Sequence, residues 1–124
     1  MTREAILLVD DYADARHTAR EALEDHGYRV VEAANGQEAL RLLGGDDSGA
    51  VGLILLDLHM PIMDGWQFLH ALGASDELHH IPVIIASSHP ARLETVKYPS
   101  VIGFLQTPFE MPELLTLVDT CVRH

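Results

Sequence analysis

Five short, mostly apolar runs, each followed by a helix-like pattern, limit what this chain can fold into. The runs are Ile6-Leu7-Leu8-Val9, Tyr28 to Val31, Val51 to Leu56, Val83 to Ala86 and Val101 to Leu105. Their length suits a buried strand better than a helix. Ala13 to His26 is rich in Ala, Arg, Glu and Leu, and Gly27 supplies a stop. Asn35 with Glu38 reads as an N-cap and its reciprocal acid, opening a helix through Leu43. Asp64-Gly65 caps a third helix to about Leu72. Pro90 and Pro112 stand at first helical turns, opening a short helix to about Lys97 and a last one from Glu113 to about Val122.

This βα alternation implies a mostly parallel sheet with helices on both faces. Strands that are continuously apolar, rather than alternating, fit a sheet covered on both sides. The expected solution is an α/β, flavodoxin-like doubly wound (βα)5 fold with a parallel five-stranded sheet in the order 2-1-3-4-5. With 124 residues and no internal repeat, one domain spanning 1-124 is expected.

Charge and composition remove several function classes. Eight Lys+Arg stand against 19 Asp+Glu, a formal net charge of −11. Direct nucleic-acid binding needs clustered cations, and so does an anionic membrane surface. No apolar run approaches the ~20 residues that span a bilayer, and the first breaks at Asp10-Asp11 before any signal-peptide core develops. Cys121 has no internal partner for a disulfide, which suits a reducing cytoplasm.

Ligands of doubly wound sheets bind beyond the carboxyl ends of the strands. Strand one ends in Asp10-Asp11, strand three in Asp57, and strand four in Ser87-Ser88. Strand five runs through Phe104 to Thr107-Pro108. In the expected order these ends adjoin, so three carboxylates and several hydroxyls converge on one crevice. Each aspartate alone is open to a helix-capping explanation. Three together repel one another, and a hard divalent cation relieves that repulsion. Mg²⁺ suits such an oxygen set and would neutralise an incoming phosphoryl group, for which a carboxylate can act as nucleophile.

Val9-Asp10-Asp11, Leu56-Asp57-Leu58-His59-Met60-Pro61 with Met63-Asp64-Gly65, Pro82 to Ser87, and Thr107-Pro108-Phe109 resemble a two-component response-regulator receiver domain along essentially the whole chain. The D-x-x-M-P-x-M-D-G stretch carries most of that resemblance. It implies that Asp57 accepts a phosphoryl group from a histidine kinase or phosphotransfer protein. Asp10, Asp11, Asp57 and the backbone carbonyl of His59 would hold Mg²⁺. Ser87, with Ser88 and Thr107, would bond the phosphoryl oxygens, and Phe104 would be the aromatic switch. His59 and His89, two positions beyond Asp57 and Ser87, would tune loss of the phosphoryl group. The implied function is a cytoplasmic signalling switch read out by a protein contact, homodimer formation included, and not an enzyme in the usual sense.

Two departures from that family pattern bear on function. Thr107 stands where the family has lysine, replacing a charged hydrogen bond of about 1.5–3 kcal/mol by a neutral one of about 1 kcal/mol. Lys97 is the candidate substitute, and Thr107-Pro108 keeps the family's proline turn. The 20 positions from Ser87 to Thr107 are fewer than in the family and include Pro90 and Tyr98-Pro99, which shorten the fourth helix beside the family's output and dimerisation face. Thr107 favours a degenerate receiver that acts as a phosphorylation-independent interaction module; the intact Asp10, Asp11, Asp57 and Ser87 oppose it. A Mg²⁺-dependent phosphohydrolase would need a D-x-D nucleophile and acid pair, and a dinucleotide site would need G-x-G-x-x-G; the sequence has neither.

Overall fold

The computed structural model describes residues 4–45, 51–87, 98–107 and 109–122. The apolar runs become β1 (Ala5–Val9), β2 (Arg29–Ala33), β3 (Val51–Asp57), β4 (Val83–Ser87) and β5 (Val101–Gln106). The helices are α1 (Ala13–Asp25), α2 (Gly36–Leu43), α3 (Gly65–Gly73) and α4 (Met111–Val122). The sheet order is β2-β1-β3-β4-β5, with every neighbouring pair parallel. This is the expected doubly wound arrangement. The short helix expected before Lys97 lies outside the described residues, as do Ser88, His89, Pro90, Lys97 and Pro108.

Alternation along each strand sorts side chains between two cores. Leu7, Val9, Ile54, Leu56, Val83 and Ile85 pack with Ala39 and Leu43 of α2 and Phe68, Leu69 and Leu72 of α3. Ile6, Leu8, Leu53, Leu55, Ile84 and Ala86 pack with Ala19 and Leu23 of α1 and Leu114 and Val118 of α4. Burial on both faces explains why β1, β3 and β4 read as unbroken apolar runs. Trp66 is half-buried against the first core, and the free thiol Cys121 is half-buried against the second.

β2 runs two residues further than its apolar run. Leu8 pairs with Glu32 and Val9 with Ala33, and the Glu32 carboxylate is held by arginines of α1. The strand therefore tolerates an acid where the sequence alone suggests an end.

The caps form as the sequence indicates. Asn35 Oδ1 accepts from the Glu38 N–H at 2.9 Å, while Glu38 Oε1 accepts from the Ala34 N–H at 3.1 Å. Asp64 and Gln67 form a reciprocal box at the start of α3. At Gly65 the chain turns into α3 close against the residues that leave β3, its N–H donating to the Leu58 carbonyl at 3.0 Å. A Cβ there would sit 2.6 Å from Leu58 Cα and 2.8 Å from the Asp57 carbonyl oxygen. Both neighbours are main chain and cannot swing aside. Gly65→Ala is therefore expected to cost about 1–3 kcal/mol, measured as a lower urea midpoint. An unchanged midpoint would mean that this turn relaxes freely.

Candidate metal centre

β1 and β3 are hydrogen-bonded neighbours with Val9 opposite Leu56. Asp10 and Asp57, each one residue further on, therefore emerge side by side. Asp11 follows at the mouth. One carboxylate oxygen from each of Asp10, Asp11 and Asp57 lies within 4.8 Å of the others. Asp10 and Asp57 are half-buried and Asp11 is exposed.

The main chain fixes two of the three acids. The Asp10 N–H donates to the Ala33 carbonyl at 3.1 Å, and Asp10 Oδ1 accepts from the Tyr12 N–H at 3.0 Å. Asp57 Oδ1 accepts from the His59 N–H at 3.2 Å, which places the His59 backbone against the cluster. Capping does not account for Asp11. The N-cap of α1 is Tyr12, with no side-chain cap bond.

Burial pushes the Asp57 carboxyl up to about 6, with the charges of Asp10 and Asp11 adding to the rise against the His59 N–H bond. Burial likewise raises Asp10, with Asp11 adding to it, despite the Tyr12 N–H bond. A cluster in which two acids resist ionisation is short of positive charge. Its donors are all hard oxygens, the set Mg²⁺ takes. Three such oxygens within 4.8 Å of one another could close on a single ion. The residues present fit that metal.

Beside the acids lies a cavity of about 270 Å³. Asp10, Asp11, Asp57 and Thr107 share its wall with apolar groups of Leu8, Ala19, Leu55, Ala86 and Phe109. Thr107, directly after β5, thus lines the same cavity as the acid cluster. Ser87 is buried at the end of β4, and its carbonyl accepts from the Thr107 N–H at 3.0 Å. Phe104 sits opposite Ile85 in the sheet and packs, partly buried, against the α2–α3 core. His59 is exposed.

A family model for the response regulator receiver domain matches residues 6–119. The chain belongs to this family. The receiver is 38% identical over 121 residues to the two-component response regulator ORR12 of Oryza sativa subsp. japonica, covering 96% of this chain and 98% of the relative. It is 35% identical to the transcriptional regulatory protein CpxR of Escherichia coli K12, covering 96% of this chain and 49% of CpxR. Of the crystal structures, that of response regulator protein TrrA from Thermotoga maritima, in complex with Mg(2+)-BeF, superposes with a TM-score of 0.78 at 26% identity, covering 98% and 99% of the two chains. Solved receiver domains of two histidine kinases also match, as does part of the sensor histidine kinase TmoS. The chain spans about half the length, or less, of several curated relatives. As a receiver it is a signal-transduction module of the two-component and phosphorelay kind rather than a conventional enzyme. No helix among the described residues is long and apolar enough to cross a membrane.

Two residues at this receiver's site carry no motif. Arg16 Nη1 donates to the Asp10 carbonyl oxygen at 2.6 Å, and Arg16 Nε to Glu32 Oε1 at 2.7 Å. Their signals in the sequence are an acid at the end of an apolar strand, Glu32, and two arginines, Arg16 and Arg20, one helical turn apart.

Proposed function

We propose that Asp57 of this receiver accepts a phosphoryl group from the phosphohistidine of a histidine kinase or phosphotransfer protein, with Mg²⁺, and that the change switches a protein–protein contact. The carrying observation is the set of three carboxylate oxygens within 4.8 Å at adjoining strand ends. The complex of the related TrrA with Mg(2+)-BeF supports it.

In this reading Asp10, Asp11, Asp57 and the His59 carbonyl hold the ion. Bound Mg²⁺ supplies charge neutralisation for the incoming phosphoryl group. An ionised Asp57 oxygen attacks phosphorus, the P–N bond of the donor breaks, and the departing imidazole nitrogen keeps the electron pair. Ser87, Ser88 and Thr107 then offer hydroxyls to the phosphoryl oxygens, and Phe104 follows Ser87 inward. Added charge at one point thereby shifts a two-state equilibrium. His59 and His89, two positions beyond Asp57 and Ser87 in the sequence, tune attack by water on the phosphoryl group. Residues 1-124 act as one cytoplasmic receiver domain, whose output is contact with a protein partner, a second copy included.

Acetyl phosphate, which needs no protein donor, tests the metal requirement. Intact mass should show phosphoryl uptake in Mg²⁺ and almost none in excess EDTA. Equal uptake in EDTA would contradict the metal's role. No uptake in either would favour a phosphorylation-independent interaction module, the reading for which Thr107 speaks.

A further inference from the structure

The arginine beneath the acid pair does more than join two elements. Arg16 and Glu32 are 14% and 15% exposed, so their 2.7 Å contact is a fixed pair rather than a solvated one. The second Glu32 oxygen accepts from Arg20 Nη1 at 2.6 Å, and His17 approaches the first at 3.5 Å. Glu32 is thereby anchored from α1 at both oxygens. Another arm of the Arg16 guanidinium, Nη1, reaches the Asp10 carbonyl at 2.6 Å. That carbonyl belongs to the peptide joining the two leading acids. With the Asp10 N–H bound to Ala33 and Asp10 Oδ1 bound to Tyr12 N–H, the Arg16 bond fixes the remaining polar group of the Asp10 main chain. A guanidinium suits this task because its rigid fork can serve a carboxylate and a carbonyl together.

We propose that Arg16, held by Glu32, is a positioning residue for the cation site: by gripping the Asp10 carbonyl it sets how the Asp10 and Asp11 carboxylates face the metal. This rests on the metal reading above. It makes a claim opposite in sign to simple electrostatics. Removing a cation from beside three acids should tighten Mg²⁺ binding by Coulomb's law. Losing the grip should weaken it, as it does when groups that orient metal ligands are removed.

Isothermal titration with MgCl₂ separates the two. Arg16→Met is expected to raise the Mg²⁺ Kd about tenfold, and Arg16→Lys, which keeps the charge but not the fork, to raise it by less. Phosphorylation by acetyl phosphate should need correspondingly more Mg²⁺ for half its rate, while saturating Mg²⁺ restores most of the maximal rate. A residue that merely supported the fold would not show that split. Should Arg16→Met fail to fold, Arg16→Lys carries the test: it keeps the charge, so electrostatics predicts no change and the positioning role predicts a raised Kd. Wild-type binding that these variants leave unchanged or tighten would overturn the positioning role alone. A wild type that binds no Mg²⁺ would overturn the metal reading and this inference together.

Discussion

Metal-free protein carrying Asp57→Asn is expected to be more stable than wild type at pH 7, by about 2 kcal/mol. The Asp57 carboxyl has an ordinary value of 3.8 and is pushed up to about 6 in the fold, by burial first and then by Asp10 and Asp11. Between those values the folded state holds a proton that the unfolded chain has released. Stability associated with Asp57 is therefore fully present below pH 3.8 and is lost as pH rises through 6. A full shift of that size corresponds to about 3 kcal/mol, and partial solvent screening of a half-buried group reduces it. Urea titrations from pH 4 to 7 in EDTA should show wild type losing stability relative to Asp57→Asn. Saturating Mg²⁺ should stabilise wild type and narrow the gap. Parallel pH curves for the two proteins would mean that the acids do not strain the fold.

Thr107→Lys should change the phosphorylated state most. Thr107 shares a cavity wall with Asp10, Asp11 and Asp57. A lysine there would put an ammonium beside the acids and the phosphoryl group. Exchanging a neutral hydrogen bond for a charged one is worth about 1–2 kcal/mol, or roughly tenfold in an equilibrium. At fixed acetyl phosphate and Mg²⁺, the ratio of phosphorylated to free protein should rise by about that factor. In the metal-free protein the same lysine should stabilise ionised Asp57, so the gain from Asp57→Asn should shrink in the Thr107→Lys background. A phosphorylated fraction that does not move would place the 107 side chain outside phosphoryl contact.

The acid cluster behind both expectations is legible in the residues alone; the burial that shifts Asp57 is not. Grouping Asp10, Asp11 and Asp57 required only strand ends and sheet order, because parallel neighbours deliver their carboxyl ends to one edge. Asn35, Glu38 and Asp64 act within one helical turn, so local sequence is enough to place those caps, while the reciprocal bond of Gln67 emerges only in the structure. The end of β2 was not legible, because Glu32 reads as a strand breaker until its arginine partners are known. Arg16 is hidden in the sequence for the same reason: its partner lies 16 residues away on another element, and its contact with Asp10 is to a carbonyl that every residue type carries. Asp11 looked open to capping, yet the cap position is Tyr12. The cap falls where extended backbone gives way to helix, at Tyr12 with φ −89° and ψ 103°, a position that residue order does not set.

Phosphoryl attachment at Asp57 is the claim on which the account turns. The direct measurement is intact mass with fragment mapping, after incubation of wild type and Asp57→Asn with acetyl phosphate and Mg²⁺. One added phosphoryl group on wild type, mapped to the peptide holding Asp57 and absent from Asp57→Asn, is the expected result. No gain on wild type, or an equal gain on Asp57→Asn, would contradict it.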